Sequence, residues 1–512
     1  MMTNYVLGVD VGTQSLKVAA YTIQGQLVYQ TSEAYSTWHN SSGHSEQDPN
    51  DWWQALQRSL QRVTDTIDKA CIKGMSLAAT SSTVLLTDKD LKPIDKAHCW
   101  MDQRSAKEED DINKNLLKIV RDRLRYSGEK TSIEWMLTKS LWFKKNYDLT
   151  DKRIVEQLDW LNYKLTSRLV GSQCNATCKW SYVKRLGGFS EDFLDEIGLA
   201  GITKHWPHTI IPVGEQVGLI TSETAISLNL PINMPVFQGG IDAHIGMIGA
   251  GALETGKLKM TTGTSFVHLI HHDQPIFNNA LWGPYDEPLV ENLWLLEGGQ
   301  LSCGSIISWF LQEFYPAECD KSAIYAELER EIKLISPGSD GLLILDSWKG
   351  NRTPYKTPYA TGAMIGLTLS HTKYHIYRAI LETIAFGTKN IIRTFEASGV
   401  EVHEIIAGGG GTVNESWMQI ISNVTGLPIT IPKDAEIGTK GASIIAIYGL
   451  GYFDSLIDAS NNMVKNEKTF YPNMTQKRQY DVLFDNYLEL NHVLFPIMEK
   501  MKKGGQRSEQ YS

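Results

Sequence analysis

The chain repeats one short motif in each half: a strand that ends in a glycine-containing, hydroxyl-rich turn. Residues 5–10, YVLGVD, read as a buried strand, and LKVAAYT (16–22) as its partner, with Gly12-Thr-Gln-Ser15 as the turn between them. GQLV (25–28) begins a third strand after Gly25. About 250 residues later, KLKMTTGTSFVHLI (257–270) is again strand, turn, strand, with Gly263-Thr-Ser265 where the first copy has Gly12-Thr-Gln-Ser15. A turn of this kind brings backbone N–H groups close to an anion and adds side-chain donors. Two such turns, each opening a half of the chain, point to a duplicated architecture that clamps a polyphosphate.

Length agrees with duplication. The 512 residues exceed one ordinary core and suggest two domains of roughly 250 residues each. The boundary is expected near 245–255, with residues 1–248 and 249–500 as the two domains. GMIGAGALETG (246–256) supplies the small residues of a hinge. The end of the chain, 501–512, is expected to fray.

Helices punctuate both halves. Asp48-Pro49 starts one as N-cap and first residue. Trp52, Leu56, Leu60 and Val63 then form one apolar stripe. A long helix follows Ser370, with Ile376, Ile380, Ile384, Ile391 and Phe395 inward, and ends at Gly399. Another runs from about Asn414 to Val424 and stops at Gly426. Strands and helices mixed in both halves give an α/β fold.

Charge and cysteines exclude other classes. A net charge of −9 argues against nucleic acid or an acidic membrane surface as partner. No secretory leader and no membrane-length apolar run is read. The six cysteines are scattered, and only Cys174 and Cys178 are close. No second Cys or His pair has metal-site spacing, so reduced thiols in a cytoplasmic protein are the reading.

Four segments carry chemistry. In Asp10-Val-Gly12-Thr13-Gln14-Ser15, the strand-end carboxylate would hold Mg²⁺, through water, beside the phosphate turn. Thr261-Thr-Gly263-Thr264-Ser265 is the second turn. Gly408-Gly-Gly-Gly411-Thr-Val-Asn414 links a strand to a helix, where bare backbone can receive a flat ring or phosphate. In Gly239-Gly-Ile-Asp242-Ala-His244, a carboxylate after paired glycines could take the proton of a sugar hydroxyl, a weak nucleophile. His244 could orient it, although a packed histidine is the commoner case. Two decoys fail. Gly251-ALET-Gly256-Lys257 has phosphate-loop spacing but Leu258 in place of the metal-binding hydroxyl. Gly249-Ala-Gly251 has Glu254 at the third glycine position of a dinucleotide fingerprint.

Together these motifs resemble the FGGY carbohydrate kinases of the actin–hexokinase superfamily. The likeness runs from GVDVGTQS to GYFDSLIDASNNMV. It takes in EQDPNDWW (46–53), WMDQR (100–104), LDWLNYKLTS (158–167), GGIDAH (239–244), TTGTS (261–265), GNRTP (350–354), RAILETIAFG (378–387), GGGGTVNESWMQI (408–420) and EIGTKGAS (436–443). It implies two actin-like (ribonuclease H-like) domains with an interdomain cleft, a sugar on the first and ATP·Mg²⁺ on the second. DAHIG, PIFNNALWGPY (275–285) and WLLEGGQ (294–300) resemble the D-ribulokinase branch, while WMDQR is nearer to xylulokinases. Where xylulokinases carry a Met-His dipeptide, this chain reads AATSSTVLL (78–86), which favours the ribulokinase branch.

The resemblance implies Asp242 as general base, with Ser82, Trp100, Asp102 and Arg104 around the sugar. Gly12, Thr13, Gln14 and Ser15 meet phosphate and Asp10 the metal. Gly263 and Thr264 meet the β- and γ-phosphates, and Gln300, Gly409, Gly410 and Asn414 border the adenosine. The bland alternative for Asp102 and Arg104 is a surface ion pair worth ~0–1 kcal/mol, but the stacking face of the neighbouring Trp100 favours a sugar site. The expected reaction is phosphorylation of a ketopentose, D-ribulose at O5. The alternatives are D-xylulose or another polyol as acceptor, and an actin-like ATPase with no sugar acceptor. A homodimer is an admissible assembly.

Overall fold

The N-terminal strands form as expected. Tyr5–Val11 pairs antiparallel with Ser15–Thr22, which pairs with Leu27–Ala34. The third strand begins at Leu27, after Gly25, which sits in the preceding turn with φ of 80°. This computed structural model describes residues 3–509, with side chains described as far as Lys503.

The chain divides into two units. The first comprises the residues up to Glu254, then His271–Leu296 and Glu436–Lys465. The second comprises Thr255–Ile270, Glu297–Ala435 and the segment from Asn466 onward.

The main sheet of the first unit runs in the order Gln216–Leu219, Pro235–Ile241, Ile72–Ala79, Tyr5–Val11, Ser15–Thr22, Leu27–Ala34. Its three middle neighbours, Pro235–Ile241, Ile72–Ala79 and Tyr5–Val11, are parallel. Parallel strands are covered on both faces, hence the near-continuous apolar runs: Val6, Leu7, Val9, Val11, Met75, Leu77 and Ala78 are wholly buried. The helix Pro49–Thr66 packs on the antiparallel side. Asp48 caps it by accepting from the amide of Asn50 at 2.9 Å, and Trp52, Leu56, Leu60 and Val63 are fully buried. Burying each of these side chains contributes about 1.5–3 kcal/mol.

The helix Ile437–Gly449, late in the chain, lies on Tyr5–Val11 and on the helix Asp242–Ala250. Small residues permit this. A side chain at Gly8 would strike the carbonyl of Thr439, and one at Gly249 the carbonyl of Ile437. The small residues of 246–250 therefore serve close packing of the helix Asp242–Ala250. A second, five-stranded sheet of this unit contains Ser45–Gln47, Ala97–His98, Val84–Asp88 and Lys152–Glu156, with Trp38–His39 at its edge.

In the second unit, the strands Lys257–Thr262, Glu404–Gly408, Ile429–Pro432 and Asn466–Phe470 are neighbours in that order. Lys257 opens a strand, which removes the phosphate-loop decoy. The long helix is Lys373–Ala397, with Ile380, Ile384, Ile391 and Phe395 buried and Ile376 half-buried. The helix Glu415–Thr425 is capped by Asn414 and ends at Gly426, φ 77°. The helix Met474–Glu509 continues through much of the segment expected to fray, and residues 510–512 lie outside the described residues. Among the described residues no helix is long and apolar enough to cross a membrane.

Candidate active site

Strand register assembles the first half of the site. Asp10, Ala78 and Gly240 lie level across the parallel strands, and so do Val11, Ala79 and Ile241. All three strands point the same way. The turn after Asp10, the segment Thr80–Ser82 and Asp242 therefore leave the sheet from one edge, the carboxyl edge where open α/β sheets bind ligands. Asp242 is the first residue of the helix Asp242–Ala250 and accepts from the amide of Ala243 at 2.7 Å. It is half-buried.

The turn after Asp10 is held from outside through its carbonyl oxygens. Gly12 N donates to Ser15 O at 3.0 Å, closing the hairpin. The Tyr35 hydroxyl donates to the carbonyl of Gly12. Gln47 Nε2 and Thr37 Oγ1 donate to the carbonyl of Thr13 at 2.6 and 3.2 Å, and Tyr35 N to that of Gln14 at 3.2 Å. Gln14 is exposed and Ser15 half-buried. Tyr35 was not singled out in the sequence. Burial, followed by the charges of Asp10, Cys99 and Asp242, pushes its hydroxyl well above the usual phenol range. One hydroxyl thus senses both carboxylates of the candidate site.

The residues expected on the sugar side are ordered by buried polar groups. Trp100 Nε1 donates to Thr13 Oγ1 at 3.1 Å, joining the expected sugar set to the expected phosphate set. Arg104 Nε and Nη2 donate to the two oxygens of Asp102 at 2.9 and 2.7 Å, and Nη1 pairs with Glu46 at 2.8 Å. Asp102 also accepts from Ser45 N at 2.7 Å and from Arg104 N at 3.0 Å. It is 1% exposed, so the surface ion-pair reading fails. Burial raises the Asp102 pKa, but hydrogen bonds from Arg104 and the two amides outweigh it and bring it to about 2.

Ser82 is also fully buried. Its hydroxyl donates to Glu156 at 2.7 Å and accepts from Met136 N at 3.0 Å. Both of its hydrogen-bonding roles are filled internally. Its neighbour Ser81, half-buried, donates to the other Glu156 oxygen at 2.6 Å. Lys139, 1% exposed, donates to the carbonyls of Ser82 and Cys99 and so ties the segment 80–82 to the loop that carries Trp100. Burial lowers its pKa to about 8, with Asp102, Cys99 and Glu156 opposing. Neither Glu156 nor Lys139 stood out in the sequence, because a buried ion inside an apolar stretch has no spacing signature.

The second unit supplies a cavity of about 850 Å³. Gly263, Thr264, Gly410 and Asn414 line it together with Gly304, Ile307, Ser308, Tyr325, Tyr377 and Gly411. Two ties join its glycine turns: Thr262 Oγ1 donates to Gly408 O and accepts from Gly411 N, both at 3.1 Å. The carbonyls of Gly263 and Thr264 accept the first amides of the helix Gly304–Phe314, Gly304 N at 3.0 Å and Ser305 N at 3.2 Å. Gly410 faces open space, whereas Gly409, with φ of 107°, packs on the backbone of Thr262. Asn414 is half-buried at the rim. It caps its helix through Trp417 N at 2.9 Å and donates to Tyr377 OH at 3.2 Å.

Gln300 is not brought to the cavity. It is buried, donating to Asp346 and Ile384 O at 3.0 and 3.1 Å and accepting from Thr388 at 2.9 Å. Its place in the sequence, at a strand end, could not reveal that its amide is consumed internally.

Solved structures share this architecture throughout. Gluconate kinase from Lactobacillus acidophilus superimposes with a TM-score of 0.87 at 22% identity, covering 98% of this chain and all of that one. Plasmodium falciparum glycerol kinase with ADP does so with a TM-score of 0.81 at 22% identity, over 95% and 98% of the two chains. The fold is therefore α/β, of the two-domain actin-like type.

Sequence comparison carries this further. Residues 5–249 match the N-terminal domain of the FGGY family of carbohydrate kinases, and residues 258–450 its C-terminal domain. The FGGY carbohydrate kinase domain-containing protein of Xenopus laevis is 31% identical over 95% of this chain and 96% of its own. A ribulokinase of Geobacillus thermodenitrificans is 29% identical over 96% and 94%. The chain belongs to the FGGY family of carbohydrate kinases, and is an ATP-dependent sugar kinase.

Proposed function

We propose that this kinase phosphorylates a ketopentose, D-ribulose at O5, with Asp242 as the general base. The observation that carries the reading is the level register of Val11, Ala79 and Ile241. It delivers the phosphate turn, the segment 80–82 and a half-buried carboxylate to one sheet edge. Among curated relatives, proteins named ribulokinase from Geobacillus thermodenitrificans and Shouchella clausii are 29% and 30% identical over nearly their whole length. The xylulose kinase of Staphylococcus xylosus is 27% identical.

In this reading Asp242 accepts the proton of the sugar hydroxyl as that oxygen attacks the γ-phosphate. Trp100 and Arg104 meet the sugar. Ser82 and Asp102 act behind them, since both are buried and already fully hydrogen-bonded: Asp102 aims Arg104, and Ser82 fixes the edge of the pocket with Glu156 and Lys139. Gly12, Thr13, Gln14 and Ser15 receive phosphate oxygens. Gly263 and Thr264 cradle the β- and γ-phosphates at the N-terminus of the helix Gly304–Phe314. Gly410 and Asn414 border the adenosine and Gly409 shapes the turn beneath it, while Gln300, hydrogen-bonded to Asp346, Ile384 and Thr388, does not reach the nucleotide.

A metal fits the donor set. Asp10 is a hard oxygen donor beside the phosphate turn, and Mg²⁺ prefers one or two carboxylates plus phosphate oxygens and water. Mg²⁺, when bound, neutralises charge on the phosphates.

A panel of acceptors in an ADP-release assay tests the assignment. D-ribulose should give the highest kcat/KM among D-ribulose, L-ribulose, D-xylulose, gluconate and glycerol. A higher value for D-xylulose moves the substrate to that sugar, and ADP release unaffected by every acceptor contradicts the sugar-kinase reading.

A further inference from the structure

Three soft side chains converge in the first unit without serving sugar or nucleotide. Cys174 and Cys178 lie one turn apart on the helix Gln173–Lys179 and share a face. His244 stands in the first turn of the helix Asp242–Ala250. Its Nδ1 is 3.4 Å from Cys174 Sγ and 3.7 Å from Cys178 Sγ. The three atoms lie within 4.8 Å of one another, and the residues are 0%, 1% and 2% exposed. Gly240 makes the room: a Cβ there would stand 2.8 Å from Cys174 Sγ.

These separations match a coordination polyhedron. Tetrahedral zinc with Zn–S of about 2.3 Å and Zn–N of about 2.0–2.1 Å places sulfur and nitrogen ligands about 3.5 Å apart. The two observed S···N distances bracket that edge. Thiolate and imidazole together select soft or borderline cations over Mg²⁺. Among the described residues, this is the one group of three such ligands.

We propose that Cys174, Cys178 and His244 form a binding site for a thiophilic divalent cation, Zn²⁺ being the best match. The sulfurs bind as thiolates, each releasing its proton to solvent, and His244 binds through Nδ1 with its proton on Nε2. Because His244 follows Asp242 by two residues, an occupied site anchors the helix turn from which Asp242 projects. The proposal does not depend on which sugar is phosphorylated.

Cobalt tests it. Metal-stripped, reduced, full-length protein is titrated with Co²⁺, whose thiolate charge-transfer absorption reports sulfur ligation. The expected result is saturation at about one equivalent, displacement by Zn²⁺, and loss of the band in the Cys174→Ser/Cys178→Ser double variant and in His244→Gln. Cys319→Ser removes the exposed thiol and should leave the band intact. Absence of the band in folded wild-type protein overturns the site without reference to any variant. So does a band that survives the double variant or disappears in Cys319→Ser.

Discussion

The indole N–H of Trp100 is hydrogen-bonded to the hydroxyl of Thr13, 3.1 Å away, although 87 positions separate them in the sequence. The aromatic proposed to meet the sugar and the threonine proposed to meet phosphate are thereby fixed against each other. Thr13→Val keeps the branched shape and removes the acceptor, leaving the indole donor unsatisfied at a cost of about 1–3 kcal/mol. The expected outcome is a fall of roughly 5- to 100-fold in kcat/KM for the sugar. Steady-state kinetics with sugar and ATP varied separately check it.

Gly410 faces open space in the cavity of the second unit, with no atom within 4 Å of where a Cβ would be. Gly410→Val should fold normally, because the new Cβ meets nothing within 4 Å, and should intrude on the cavity proposed to take the nucleotide. KM for ATP should rise by about tenfold or more, equivalent to ~1.4 kcal/mol, with KM for sugar unchanged. ATP titration calorimetry gives an independent reading.

Gly438 opens the helix Ile437–Gly449 against Asp10, and a Cβ there would collide with the Asp10 carboxylate. Gly438→Ala should displace Asp10 and raise the Mg²⁺ concentration needed for half-maximal rate. Varying Mg²⁺ at saturating ATP and sugar measures that shift. An unchanged Mg²⁺ dependence would remove Asp10 from the metal site.

Much of this fold was legible in the sequence. The Asp48-Pro49 start, the Trp52–Val63 stripe and the Asn414 and Gly426 helix ends are local signals, and each appears in place. What was not legible is long-range. Nothing in EIGTKGAS announces that the segment Glu436–Lys465 returns to the first unit, and its glycines gain meaning only against Gly8, Asp10 and Ile245. The same limit governed the site. Asp10, Asp242, Gly263 and Gly410 sit in motifs, whereas Tyr35, Lys139 and Glu156 are single residues whose roles come from tertiary hydrogen bonds. The Cys174/Cys178/His244 cluster escaped a spacing search because its third member arrives from another helix.

Asp102 makes a pH prediction. Its folded pKa of about 2 lies below the unfolded carboxylate value of about 3.9. Its stabilisation is therefore present above pH ~4 and is lost as pH falls from there toward about 2. Asp102→Asn should flatten the acid limb of a plot of unfolding free energy against pH. At neutral pH it should cost about 3 kcal/mol, because Arg104 loses its bidentate partner in a buried site. Urea unfolding of both proteins across pH 2–6 decides it.

The account rests most heavily on Asp242, and one substitution tests it directly. Asp242→Asn preserves size and its place at the helix start while removing the base. Turnover with ATP and D-ribulose should fall by roughly 10²–10⁴, with ATP affinity and melting temperature close to those of the parent. Turnover within a few-fold of the parent would contradict the assignment of the base.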